Sequence, residues 1–141
     1  MKRPTTLTPE EKEAFHQAAE SRIQTFGYKQ PTAGARPKDT TWLVKSGMIK
    51  LLVQVIRDGV DQNLHYHTNS ETIWMVLRGR VRFHGVGDKM LAELGPEEGI
   101  LLPGGSRYWF ERIGPETLEL MQMIAVDQAS GDDVHAGVEQ H

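Results

Sequence analysis

From Thr40 onward, apolar and polar side chains alternate with a period of two, so the body of the chain reads as strands. Thr41 to Val44 and Met48 to Ile56 form the first two, broken at Ser46-Gly47. In the second, Ile49, Leu51, Val53 and Val55 share an apolar face, while on the other face Lys50 and Gln54 alternate with Leu52 and Ile56. A strand apolar on one side and mixed on the other suits a barrel wall, and Gln54 and Lys50 are candidates to project into the barrel. The strand of His65 and His67, then Thr72 to Leu77 and Arg80 to His84, continue the series. In the last, Val81 and Phe83 alternate with Arg80, Arg82 and His84, the pattern of a half-buried antiparallel strand. That alternation reads His84 and the arginines as a solvated face. Met90 to Leu94, Ile100 to Leu102, Tyr108 to Arg112 and Leu118 to Val126 add short strands between Gly and Pro punctuation. Many short strands with such turns predict an all-β sandwich or barrel.

The ends differ. Thr8-Pro9-Glu10-Glu11 is a helix start, with Thr8 as cap, Pro9 at the first helical position and Glu11 completing a capping box. The helix runs to about Ile23, and Phe15, Ala18, Ala19 and Ile23 form a narrow stripe suited to a sheet or a partner subunit. A connector rich in Pro, Gly and Ala follows. Residues 1–39 are thus read as helix and connector, 40–126 as the β unit, and 127–141 as a polar tail with too few apolar positions to pack, mobile at least in part.

A chain of 141 residues suits one domain. The formal net charge of -3, with both signs interspersed, offers no basic stripe for nucleic acid. No apolar segment follows Met1-Lys2-Arg3, so neither an export signal nor a membrane partner is expected, and the cytoplasm is the default. There is no cysteine, so any metal here must use imidazole and oxygen ligands.

His65 and His67 stand one residue apart, and on an extended backbone they leave the same face, near enough to share one ion. The plain alternative is a partly buried pair hydrogen-bonded to its surroundings. Five residues separate Gly59 from His65, Glu71 follows His67, and the apolar run after it closes at Gly79. Together these resemble the first signature of the cupin superfamily, Gly-x5-His-x-His-x(3 or 4)-Glu-x6-Gly. Pro103-Gly104-Gly105-Ser106-Arg107-Tyr108 resembles the Pro-x-Gly-x2 core of the second signature, with Tyr108 where the family has its third histidine. The resemblance covers about residues 40 to 126 and implies a cupin-type β-barrel, or jelly roll, with a short N-terminal helix.

The resemblance implies a divalent metal, iron, manganese, nickel or zinc, held by first-signature His, His and Glu and a second-signature His. His65 and His67 carry over directly. Counting back from Gly79 puts the carboxylate position at Thr72, whereas counting forward from His67 puts it at Glu71. A regular strand cannot present both to one face; Glu71 turns inward only with a bulge or bend. Tyr108 either binds or orients a ligand, or packs beside Trp109 and Phe110. Glu97 and Arg112 also depart from the second signature, which has Gly and Asn there. Gln54, Thr72 and Trp74 are expected to line a substrate pocket.

Two functions follow. In the first, the chain is a small metal-binding enzyme of oxygenase, isomerase or lyase type acting on a small organic molecule inside the barrel. His65, His67 and Glu71 hold the metal, Glu71 alternatively serves as general base, and Tyr108 orients the substrate or donates a proton. In the second, the barrel binds or senses a small molecule without catalysis and has lost a full metal site. A homodimer is expected in either case, because the helix stripe and sheet edges need cover.

Overall fold

A computed structural model describes residues 6–31, 36–127 and 135–137; for 60–62 and 135–137 the description is of the backbone. The helix α1 (Pro9–Glu20) opens with the capping box, the Thr8 hydroxyl accepting from the Glu11 N–H at 3.1 Å and the Glu11 carboxylate accepting from the Thr8 N–H at 3.3 Å. It stops earlier than the sequence suggests. Ser21 donates its hydroxyl to the Ala18 carbonyl at 2.8 Å and caps the helix, leaving Ile23 outside it and 75% exposed. No α1 residue is buried, so the stripe of Phe15, Ala18 and Ala19 finds no cover on the sheet of its own chain.

Ten strands follow among the described residues: β1 (Lys38–Lys45), β2 (Ile49–Ile56), β3 (Val60–His67), β4 (Ser70–Arg78), β5 (Arg80–His84), β6 (Met90–Leu94), β7 (Gly99–Leu102), β8 (Tyr108–Ile113), β9 (Leu118–Val126) and β10 (His135–Gly137). They form two antiparallel five-stranded sheets, ordered β1-β2-β9-β4-β7 and β10-β3-β8-β5-β6. The pairs β2·β9, β3·β8, β4·β7 and β5·β6 nest, as in one long hairpin wound into a barrel, which is the jelly-roll arrangement. The tail contributes to it. Residues 135–137 lie against β3, although the composition of the tail predicts no strand.

The inward face of β2 is the mixed one. Leu52, Gln54 and Ile56 pair with Gln122, Leu120 and Leu118 of β9, and Trp74 and Val76 of β4 fall on the same rows. One half of the barrel is closed by hydrocarbon, with Ile56, Trp74, Val76, Val81, Phe83, Phe110, Leu118 and Leu120 all nearly inaccessible. Phe110 is the centre of that plug, its ring 5.2 Å from Trp74 and 5.5 Å from Phe83. Burying these large rings is the main stabilising term of the fold.

The outer face of the first sheet is covered in part by the connector after α1. Tyr28 donates its phenol and Gln30 its amide, at 2.7 Å, to the two oxygens of Glu119, a buried carboxylate opposite Val55 on β9. This lets Val53 and Val55, on the side away from the lumen, also be buried. On the other sheet, Arg82 bonds Glu93 at 2.6 Å and lies 3.5 Å from Glu111, so the arginines of β5 do form a solvated ion-pair face. His84 departs from that expectation. It is 9% exposed because Trp109 stacks on it, with ring centroids 4.2 Å apart.

Candidate functional site

Above the aromatic plug the barrel opens into a cavity of about 280 Å³, lined by Lys38, Thr40 and Trp42 of β1, Leu52 and Gln54 of β2, and Gln122 and Ile124 of β9, with Trp74, His65, His67 and Tyr108 completing it. The two histidines reach it together because they are two apart on β3. Their ring centroids are 5.9 Å apart and the planes nearly perpendicular, at 78°. The Pro103-Gly104-Gly105 turn secures this end of the strand. Gly105 N–H donates to the His67 carbonyl at 2.8 Å, and a side chain at Gly104 would come within 3.1 Å of the Ser70 carbonyl oxygen. That turn delivers β8 so that Tyr108 falls directly opposite His65.

His65 Nδ1 lies 2.8 Å from the Asn63 carbonyl oxygen, which can only accept, so Nδ1 is the donor in this contact. An imidazole that ligates a metal through one ring nitrogen usually donates the other to a backbone carbonyl or a carboxylate in this way.

The implied divalent metal can be tested on this donor set. Two imidazoles on one tetrahedral ion, with metal to nitrogen distances of ~2.1 Å, hold their ring centroids ~5 Å apart, so a small tilt brings His65 and His67 from 5.9 Å onto one ion. The pair fits. The rest of the family's ligand set does not. Glu71 pairs with Ala125 on the outer face and is exposed, lining a separate surface hollow with Thr68, Asn69, Ser70 and Asp127. β4 carries no bulge at its start, so Thr72 takes the inward place, 2% exposed, and Glu71 is corrected from ligand and base to an outer-face residue. Among the described residues no three or more His, Cys, Asp or Glu side chains converge on a point.

Of the expected pocket residues, Gln54 and Trp74 line the cavity and Thr72 lies on the same face, next along β4. Gln54 donates to the Gln122 amide oxygen at 3.4 Å. Three buried polar atoms on this face, Gln54 Oε1, Trp74 Nε1 and Thr72 Oγ1, have no hydrogen-bond partner among the described residues. Gln122 was missed from the sequence, although it stands at the inward place between Leu120 and Ile124 and is as conspicuous as Gln54. Lys38, Thr40 and Trp42 were missed because nothing in β1 says which face meets the lumen.

Two sheets wound from nested strand pairs, with a His-x-His pair facing the lumen beside a Pro-Gly-Gly turn, define a double-stranded β-helix of cupin type. The chain has the cupin fold. An uncharacterised double-stranded β-helix protein from Klebsiella pneumoniae superposes with a TM-score of 0.64 at 17% identity, over 84% of this chain and 100% of that one. The cupin domain of Schizosaccharomyces pombe Cnp3 gives 0.62 at 18% identity, over 74% of this chain and 76% of that one. A Silicibacter pomeroyi cupin described as a sugar phosphate isomerase gives 0.56 at 11% identity, over 67% of this chain and 59% of that one. No family model matches the sequence, and no curated protein matches it. No helix among the described residues is long and apolar enough to cross a membrane.

Proposed function

We propose that the chain binds a small hydroxylated organic molecule inside the barrel and transforms it by proton transfer, in an isomerase- or lyase-type reaction. The observation that carries this reading is the convergence of His65, His67 and Tyr108 with Gln54, Gln122 and Trp74 in one cavity of about 280 Å³. That volume lies just below the roughly 300–1,000 Å³ of ligand pockets, which suits a small molecule. An unpartnered buried polar atom costs about 1–3 kcal/mol, and the Trp74 N–H and the Gln54 and Thr72 oxygens supply both donor and acceptor capacity. Hydroxyl groups, which donate and accept, match them, and Lys38 adds a cation at the rim.

His65 and His67 would hold a divalent ion, which when bound polarises a substrate oxygen. Tyr108, against the aromatic plug, stands beside His65 and would deliver its phenol proton to the carbonyl oxygen of the bound molecule while water in the open cavity takes the proton leaving the adjacent carbon, with Trp74 and the two glutamines orienting it. A carboxylate missing from the described donors favours proton transfer over oxygenation, for which two histidines and one carboxylate are the usual set. The Silicibacter neighbour, described as a sugar phosphate isomerase, is of the same reaction type.

The test is saturation-transfer NMR with pentoses, hexoses and their uronic acids, followed by incubation of any binder in deuterated water. Binding with deuterium incorporated beside the carbonyl is the expected result. Binding without incorporation supports the second reading, a sensing or binding cupin, which the outward position of Glu71 favours. If none of these molecules shows saturation transfer, the assignment of ligand class is wrong.

A further inference from the structure

On the outer face of the first sheet, β4 carries an acid at one end, a base at the other and apolar side chains between them. Glu71, Ile73, Met75 and Leu77 alternate with the buried lumen residues, and the register shift after Val76 brings Arg78 onto the outer face, opposite Glu119. The neighbouring strands widen the apolar stretch. Val44, Leu51, Met123, Ile73 and Leu101 form one unbroken row across all five strands. In the next outward row Met121 and Met75 stand beside Gly99, which has no side chain.

The connector after α1 covers only part of this face. Val53 and Val55 are 0% and 1% exposed, whereas Ile73, Leu77 and Leu101 on β4 and β7 are 36%, 38% and 55% exposed. Five strands span ~19 Å, and Glu71 to Leu77 spans ~20 Å. The face thus measures roughly 400 Å², and exposed apolar patches of that order mark interaction surfaces.

The order of the charges identifies the occupant. A two-fold axis lying between two such faces, crossing the strands at the level between Ile73 and Met75, lays a second β4 antiparallel over the first. It brings Glu71 of each copy over Arg78 of the other, Ile73 over Met75, and the protruding Leu101 over the bare Gly99. Both charges are available for this. Glu71 is exposed and makes no ion pair with a described residue, and the guanidinium of Arg78 is half exposed, 3.8 Å from a Glu119 carboxylate that Tyr28 and Gln30 already satisfy. Sheets pack face to face ~10 Å apart with strands within ~30° of each other, a gap that a glutamate and an arginine span together.

We propose that the outer face of the first sheet is the contact between two copies of this chain, packed sheet on sheet about that axis, with a Glu71–Arg78 pair at each end and Leu101 of each copy seated over Gly99 of the other. This holds independently of what the barrel contains. The face is about half of the ~800 Å² per partner of a standard interface, so the dimer is a reversible one.

Sedimentation velocity of the full-length protein from about 1 to 500 µM reads the association, with a Kd expected in the micromolar range. A monomer throughout overturns the proposal. Glu71→Arg puts like charges at both ends of the contact and should weaken the dimer on the order of 100-fold, as should Arg78→Glu. An equimolar mixture of the two variants should recover the wild-type Kd, because each mixed dimer again joins Glu to Arg at both ends. Ile73→Cys gives this cysteine-free chain a single thiol beside the axis. A short bismaleimide should join two copies there far faster than at Val86→Cys, an exposed position in the turn between β5 and β6 of the other sheet. That comparison decides the matter where Arg78→Glu, beside the buried Glu119, fails to fold. A dimer undiminished by Glu71→Arg, a mixture of folded variants as weak as its parents, or Ile73→Cys joined no faster than Val86→Cys would each show that the copies do not meet on this face.

Discussion

Tyr108 stands opposite His65 in the β3–β8 ladder, its ring centroid 4.3 Å from the imidazole and its side chain 2% exposed. The tyrosine is therefore both a wall of the aromatic plug and the phenol nearest the metal-suited pair. Tyr108→Phe keeps the ring packing, so stability should change by no more than about 1 kcal/mol. Removing a proton donor should lower turnover by roughly 10²- to 10⁴-fold. Denaturant unfolding and deuterium incorporation measure the two. A variant that unfolds readily, or that turns over normally, would assign Tyr108 to packing alone.

The register of β4 separates Glu71 from Thr72, one on each face. Glu71→Gln should leave zinc affinity within about twofold, since exposed substitutions rarely exceed about 0.5 kcal/mol. Thr72→Val exchanges an unpartnered buried hydroxyl for a methyl group. It should raise stability by up to ~1 kcal/mol and weaken ligand binding by roughly two- to tenfold. Loss of zinc binding in Glu71→Gln would restore the carboxylate to the site.

Most strands were legible from alternation or from the turns around them: Arg80 to His84 alternates cleanly, and Met90 to Leu94 and Leu118 to Val126, set off by Gly and Pro, have the bounds read from the sequence. The histidine pair was legible because a spacing of two settles a face. What alternation leaves open is which face is inward, so the places of Gln122, Trp42 and Glu71 had to come from the register between strands. The tail was opaque for a different reason. His135-Ala136-Gly137 carries little strand propensity, and its pairing with β3 makes it a strand. His84 shows how burial can come from a neighbour on the adjacent strand, Trp109, that no pattern along β5 encodes.

Glu119 is 4% exposed and is satisfied by Tyr28 and Gln30 of the connector, with Arg78 3.8 Å away. Burial, then the hydrogen bond to Glu119 and its negative charge, push the Tyr28 phenol well above its ordinary value. The folded protein thus holds this proton more tightly than the unfolded chain, whose phenol titrates near ~10. The stabilisation is fully present below that pH and is lost as pH rises from there toward the folded value. Tyr28→Phe leaves the carboxylate one donor short, so it should cost about 1–3 kcal/mol at neutral pH and flatten the alkaline decline. Urea midpoints for both proteins from pH 7 to 11 measure this. Parallel declines would mean that the connector does not secure Glu119 in solution.

Gly59 and Gly79 bracket the first signature, and both adopt left-handed backbone, with φ of +87° and +84°. Their surroundings differ. A Cβ at Gly59 meets nothing within 4 Å, whereas at Gly79 it would come within 2.6 Å of the Thr117 carbonyl oxygen, a backbone atom that cannot swing aside. Gly59→Ala should therefore cost only the conformational penalty, ~1–2 kcal/mol. Gly79→Ala adds a clash where β5 leaves β4 beside the start of β9, and should cost about 3 kcal/mol or more. Equal losses in denaturant unfolding would mean that the Thr117 segment yields, and that Gly79 serves the turn alone rather than the close approach of the two chain segments.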